Sequence, residues 1–121
     1  MRVLLLLAAL LAPALAFAQA GEWQPKSQAE VQVLDKVTAR VSVLRTGLNQ
    51  PANFGTLSIT VRTCNARPAD EVPDALAWME IADSRQPPER RSVFRGWMFA
   101  NAPAANMLEH PVYDVRILAC R

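Results

Sequence analysis

The chain is poor in the residues that bind metals or act as catalytic bases and nucleophiles. Its 121 residues include one histidine and two cysteines. A structural zinc site needs about four cysteine or histidine ligands, which this chain does not have. No serine lies in the Gly-x-Ser-x-Gly context of a hydrolase nucleophile. We therefore predict no catalytic residue, no metal site and no cofactor.

An excess of charge of one sign is also absent. Thirteen basic residues stand against eleven acidic ones, a net charge of +2. This balance gives no electrostatic reason to expect binding to nucleic acid. Two acids, Asp83 and Glu89, interleave with the densest basic group, so a solvated loop explains it. That group is Arg85, Arg90, Arg91 and Arg95.

A long apolar run occurs only at the start of the chain. Arg2 is followed by the apolar stretch Val3–Leu15 and by the small-x-small triplet Ala16-Phe17-Ala18. This order is typical of a secretory signal peptide. We predict a signal at residues 1–20, cleaved before Gln19 or Gly21, and a periplasmic or secreted protein. The run is too short for a membrane anchor, so no transmembrane segment is expected after cleavage.

What remains is enough for one modest core, and we expect a single β domain at residues 31–121 behind a polar, flexible leader at 21–30. In an oxidising compartment, two cysteines in a small domain are most simply a disulfide, here Cys64–Cys120. The chain-entropy estimate for such a loop is a stabilisation of about 4 kcal/mol.

Alternating apolar and polar residues predict most of the chain to be strand. The pattern starts at Val31 and is split by a turn near Asp35, because Asp35 falls on the apolar side. Further strands are predicted at 56–64, 92–100 and 112–120, and a short helical turn at 103–109. Residues 75–82 fit a strand or a helix, and we favour a strand. The expected fold is a small antiparallel β-sandwich or open barrel of six or seven strands.

The same alternation predicts the position of the disulfide. Cys64 shares the outward side of Thr60 and Arg62, and Cys120 that of Asp114 and Arg116. The bridge is therefore expected on the polar side or at the strand ends, outside the core.

Aromatic residues are the candidates for an interaction surface. The 92–100 strand has apolar residues on both sides, with Trp97 and Phe99 on one of them. Such a strand is either covered twice or presents an apolar patch to a partner. Trp78 and Trp97 also suit stacking on a glycan, and core packing is the simpler alternative.

His110 is the remaining candidate. With a carboxylate to orient it, this residue would act as a general base in a small hydrolase, although the sequence offers it no nucleophile. A histidine beside a proline at the end of a short helical turn is commonly a cap or a packing residue. We therefore favour a structural or interaction role for His110.

Several runs, taken together, resemble the family filed as domain of unknown function 2155, small secreted proteins of Alphaproteobacteria. The runs are Leu34–Val41, Phe54–Leu57 leading into Cys64, Phe94–Ala100, and Leu108–Val115 leading to Cys120. The resemblance implies an exported protein with a cysteine pair, and it implies no activity. It also implies an accessory role beside a respiratory complex at the periplasmic face of the inner membrane.

These observations predict a non-enzymatic interaction module that binds a protein partner in the cell envelope. The alternative is a protein that binds a small ligand or cell-wall glycan through exposed tryptophans. A hydrolase centred on His110 is the least favoured hypothesis.

Overall fold

A computed structural model describes residues 22–121, so the predicted signal peptide and both cleavage positions lie outside the described residues. Eight strands and two single 3₁₀ turns, Pro88–Arg90 and Pro103–Ala105, follow one another. The strands are β1 (Gln24–Lys26), β2 (Gln28–Asp35), β3 (Arg40–Gly47), β4 (Ala52–Phe54), β5 (Leu57–Ala66), β6 (Ala75–Asp83), β7 (Ser92–Phe99) and β8 (Tyr113–Cys120). No helix among these residues is long and apolar enough to cross a membrane.

The strands form two antiparallel sheets. The larger sheet has the order β1-β5-β6-β7, with β4 also paired to β5, and the smaller sheet has the order β3-β2-β8. The predicted mostly β, antiparallel fold is confirmed as an open sandwich. The strand count exceeds the prediction because β1 and β4, with three residues each, lie end to end along one edge of β5.

Alternation builds the core between the sheets. The inward residues of β2 and β5 are almost completely buried, with Val31, Val33, Ile59 and Val61 each 0% exposed. Residues 75–83 form a strand whose inward side is also buried, so the preference for a strand there is confirmed. Removing this apolar surface from water is the main force that holds the sheets together.

Val41 and Val43 continue the apolar side of the run that starts at Val31, so alternation predicts them to be buried, but on β3 they are 57% and 52% exposed. The predicted turn at Asp35 is present, and the Asp35 carboxylate accepts hydrogen bonds from two backbone N–H groups of the turn. The turn sets a register in which Ser42 lies opposite the buried Val33. Residues directly opposite in a sheet point to the same side, so the two valines point outward.

The predicted leader at 21–30 is wrong for residues 24–30. Residues 24–26 form β1 along β5, β2 starts at Gln28, and Ala29 is 1% exposed. The Arg67 guanidinium also lies 3.9 Å from the centroid of the Trp23 ring. Polar composition misled the prediction because backbone pairing to an existing edge needs no apolar side chains.

The disulfide Cys64–Cys120 is present, with the two Cα atoms 5.5 Å apart, but its predicted position outside the core is wrong. Cys64 is 2% and Cys120 is 7% exposed. β5 contains a β-bulge shortly before Cys64, with Arg62 as the extra residue. β8 contains a β-bulge shortly before Cys120, with Leu118 as the extra residue. One extra residue turns the following side chain to the other face. The two bulges thus bring both sulfurs inside, where they link the two sheets.

Candidate interaction face

The outer side of β6 and β7 carries four large apolar side chains. Trp78 lies opposite Trp97, and Leu76 lies opposite Phe99. The two indole rings pack edge to face, with centroids 5.4 Å apart and an interplanar angle of 80°. Trp97 is 39% exposed, and the other three are partly buried. We call these four residues the aromatic face.

The other side of the same two strands explains why these residues point outward. Ala77, Met79 and Met98 are at most 3% exposed and pack in the core. Strand alternation therefore leaves their neighbours on the outer side. The predicted candidates Trp78, Trp97 and Phe99 are thus brought together, and the apolar residues of the 92–100 strand do lie on both faces.

An ion cluster lies directly beside the aromatic face. Glu80 binds Arg62 at 3.1 Å and Arg95 at 3.5 Å. The Arg62 guanidinium is the main reason that the pKa of Glu80 lies below its ordinary value.

The free edge of β7 is capped. The Asn106 side chain donates a hydrogen bond of 2.9 Å to the Trp97 carbonyl oxygen. A Cβ atom at Gly96 would come within 2.9 Å of the Asn106 side-chain nitrogen, so the loop and the strand approach closely because residue 96 is glycine. Such a cap blocks strand addition at this point.

The surface around Glu80 and the 84–91 loop is more basic than the sequence indicated. Asp83, one of the two interleaved acids, is 2% exposed and bonded to His110, which leaves Glu89 alone among the arginines of the 84–91 loop. At Glu80 two arginines share one carboxylate. The exposed basic groups are Arg62, Arg85, Arg90, Arg91 and Arg95. Of these, Arg62 and Arg95 bind Glu80 beside Trp78, and we call these two residues the arginine rim of the aromatic face.

His110 lies apart from the aromatic face, in a polar cluster inside the sandwich. Its side chain is 6% exposed, and Nε2 lies 2.8 Å from the Asp83 carboxylate. Nδ1 accepts hydrogen bonds from the backbone N–H groups of Val112 and Tyr113, at 3.0 and 3.1 Å. A nitrogen that accepts is unprotonated, so Nε2 carries the hydrogen and donates it to Asp83.

The Asp83 carboxylate is stabilised in its charged form. Burial would raise its pKa, but hydrogen bonds from His110 and from the Arg85 backbone N–H outweigh burial and lower it. The buried Thr56 hydroxyl has no partner in strict hydrogen-bond geometry, yet it lies near enough to this carboxylate to contribute to lowering the pKa.

Aromatic packing completes the cluster. The Tyr113 ring lies 5.2 Å from the His110 ring and edge-on to Phe54 at 5.9 Å. Gly55 has a φ of 55°, and a Cβ there would overlap the Tyr113 hydroxyl. With both ring nitrogens engaged, the imidazole has no free lone pair to accept a proton from a substrate, so this geometry favours a structural role for His110 over general-base catalysis.

Three residues of these sites were missed in the sequence. Leu76 extends the aromatic face, Asn106 caps its edge strand, and Asp83 is the buried partner of His110. The alternation of β6 contained the signal for Leu76, two residues before Trp78. The roles of Asn106 and Asp83 depend on loops, and alternation carries no information about loops.

The largest groove described lies elsewhere, at the Cys120 end of the sandwich. It has a volume of about 590 Å³ and is lined by residues of β1, the 66–74 loop and the chain end at 118–121. Trp78 and Trp97 are not among its lining residues. This groove therefore gives no support to a glycan site built on either tryptophan.

Comparison with known proteins gives a family without an assigned activity. The model of the family described as "Uncharacterized protein conserved in bacteria (DUF2155)" matches residues 29–120. The chain is similar to "Uncharacterized protein RP359" of Rickettsia prowazekii, with 22% identity over 102 residues. That match covers 83% of this chain and 64% of the relative. No solved structure matches the chain.

Proposed function

The chain belongs to this family, DUF2155, and we propose that it is an exported, non-enzymatic module whose aromatic face binds a protein partner in the cell envelope. The observation that carries the proposal is the outer side of β6 and β7. Two tryptophans, a leucine and a phenylalanine lie together there, and Trp97 is 39% exposed. The other three are partly exposed beside it, and contiguous apolar groups at a protein surface commonly mark protein interfaces.

The chemistry around the aromatic face supports a protein partner. Tryptophan and arginine are the residue types enriched among interface hot spots, and both occur here. Glu80 pairs with Arg62 and Arg95, and Trp78 packs on Trp97, so a partner would meet a partly preformed surface. The partner would offer apolar side chains to the tryptophans and acidic groups to the arginine rim.

Export is the second part of the proposal. It rests on the charged start, the short apolar run and the Ala16-Phe17-Ala18 triplet. The partner would then be a subunit of an envelope complex at the inner membrane, a respiratory complex being the one that the family resemblance implies. Fractionation of cells followed by intact-mass measurement tests the location. A chain beginning at Gln19 or Gly21 in the periplasm is expected, and a full-length cytoplasmic chain would contradict export.

The interface is tested by quantitative affinity capture from gently solubilised envelope. We expect Trp97→Ala to reduce recovery of the partner more than about tenfold, as for a hot-spot residue. The matched control is Met107→Ala, because Met107 is 49% exposed but lies outside the aromatic face. Equal recovery by the wild type and Trp97→Ala would show that the face is not the interface.

Salt and ligand titrations separate this proposal from its alternative. Because the rim is basic, partner binding should weaken as ionic strength rises. A glycan binder would instead show a change of tryptophan fluorescence with cell-wall fragments. Such a change, lost in Trp97→Ala and accompanied by no captured protein, would replace the proposed function.

A further inference from the structure

Open strand edges are a second kind of interaction surface, and most edges of this sandwich are protected. In the larger sheet β1 and β4 have three residues each, and β7 has a bulge at Val93 and the Asn106 cap. In the smaller sheet, residues 103–107 line small cavities together with β8. Short strands, bulges and covering loops are the usual means of preventing edge-to-edge pairing.

The edge of β3 has none of these protections over residues 40–45, and only its Thr46–Gly47 end is contacted by a loop, through Gln50. Among the described residues β3 pairs with β2 alone, over eight residues without a register shift. It contains no proline and no lysine, and Val41 and Val43 are more than half exposed on its outer side. A long, regular edge with exposed valines is a template for adding another strand.

We propose that β3 pairs with β3 of a second copy of this chain, antiparallel and centred on Ser42. The two smaller sheets would then form one six-stranded sheet with the order β8-β2-β3-β3-β2-β8. This surface is distinct from the aromatic face and does not depend on the function proposed for it.

The argument for a second copy is the self-complementarity of the strand. A twofold axis perpendicular to the sheet leaves the outer faces of both copies on the same side of the joined sheet. Residues that point outward in one copy therefore lie opposite residues that point outward in the other. Centred on Ser42, this axis sets Val41 opposite Val43 of the second copy, and Val43 opposite Val41. Pairs of β-branched residues at directly opposite positions stabilise antiparallel sheets. Leu34, opposite Val41 within the chain, extends the apolar strip.

Charges agree with the same register. Arg40 lies opposite Leu44 of the second copy, and Arg45 keeps its own partner Glu30 at 3.5 Å, so no arginine directly opposes another. A register centred on Val43 would instead set Val41 opposite Arg45. One strand pair buries less than the ~1,200 Å² of standard interfaces, so the dimer should be weak and concentration dependent.

Sedimentation velocity of the mature protein over a concentration series tests the proposal. We expect the weight-average mass to rise toward that of a dimer. The double variant Val41→Lys/Val43→Lys and the double variant Val41→Glu/Val43→Glu should each remain monomeric, while their mixture should dimerise. Both valines are exposed, so the fold should survive, which circular dichroism checks. Val72→Lys is the matched control, since Val72 is 78% exposed in a loop.

Cysteine cross-linking tests the register. Ser42→Cys places a thiol opposite its own copy and should form an intermolecular disulfide faster than Val43→Cys. The reverse order would overturn the Ser42-centred register. A wild-type protein that stays monomeric, or a dimer that the double lysine variant leaves intact, would overturn the pairing of β3 itself. Trp97→Ala should leave the dimer unchanged, which separates this test from that of the aromatic face.

Discussion

The aromatic face and the His110 cluster contain residue types that a sequence reader associates with function, yet the molecule uses them in opposite ways. His110 is 6% exposed, and both of its ring nitrogens are bonded within the chain. Trp97 is 39% exposed and packs on one neighbouring ring. A side chain whose bonding capacity is used internally serves the fold, whereas exposed apolar area that nothing covers is available to a partner.

The largest expected effect comes from His110→Ala. The change leaves the buried Asp83 carboxylate without its partner and two backbone N–H groups without an acceptor. Breaking a buried pair in this way should lower the free energy of unfolding by about 3 kcal/mol. Denaturant titration under oxidising conditions measures it. If the free energy of unfolding fell by less than about 1 kcal/mol while partner binding was abolished, His110 would belong to the interface. The contrast between His110 and the aromatic face would then be wrong.

Gly55→Ala tests the same cluster through the backbone. A residue with a side chain is strained at the φ of 55°, and the new Cβ would overlap the Tyr113 hydroxyl. We expect a destabilisation of about 2 kcal/mol, part of which Tyr113→Phe should relieve in a double-mutant cycle. Gly47→Ala is the control, because its Cβ would meet only the flexible end of Gln50. Equal effects of the two alanines would contradict this account.

Acid titration compares a buried carboxylate with an exposed one. The pKa of Asp83 is lowered in the folded state, so its contribution to stability is present above the unfolded value near 3.8 and is lost as pH falls toward the folded pKa. The difference in free energy of unfolding between the wild type and Asp83→Asn should therefore become smaller below about pH 3.8. The pKa of Glu80 is lowered too, chiefly by Arg62, but this exposed group is screened, so Glu80→Gln should show a smaller effect that salt reduces. Denaturation midpoints across pH and salt concentration measure both.

Most of the fold follows from alternation, and the errors share one physical origin. β5, β6 and β8 are predicted because apolar and polar residues alternate along most of each strand. The burial of Cys64 and Cys120 is not predicted, because a bulge inserts a residue without a reliable sequence signal. The exposed side of β3 is likewise set by the turn at 36–39. Alternation inside a strand does not show how a turn sets the next strand's register.

The candidate sites show the same difference between what strand alternation predicts and what bulges, turns and loops determine. Trp78, Trp97 and Phe99 lie on predicted strands, so their common face was within reach of the sequence. The pairing of His110 with Asp83 joins a loop near the chain end to the end of β6, twenty-seven residues earlier. Nothing local specifies such a contact. The basic character of the surface was also underestimated for this reason, since Asp83 counts as a surface acid until it is seen to be buried.

The smallest expected effect on stability is that of Trp97→Ala, and it separates the two regions most directly. Trp97 contributes an edge-to-face contact with Trp78 and remains partly in water, so its loss should cost about 1 kcal/mol. Partner binding should fall far more than stability does, the reverse of the outcome expected for His110→Ala. Denaturant titration and affinity capture, both carried out on Trp97→Ala and His110→Ala, test this difference between stability and binding. A Trp97→Ala protein that unfolds as easily as His110→Ala would assign the aromatic face to the architecture of the sandwich, because an exposed contact with one ring cannot otherwise account for so large a loss.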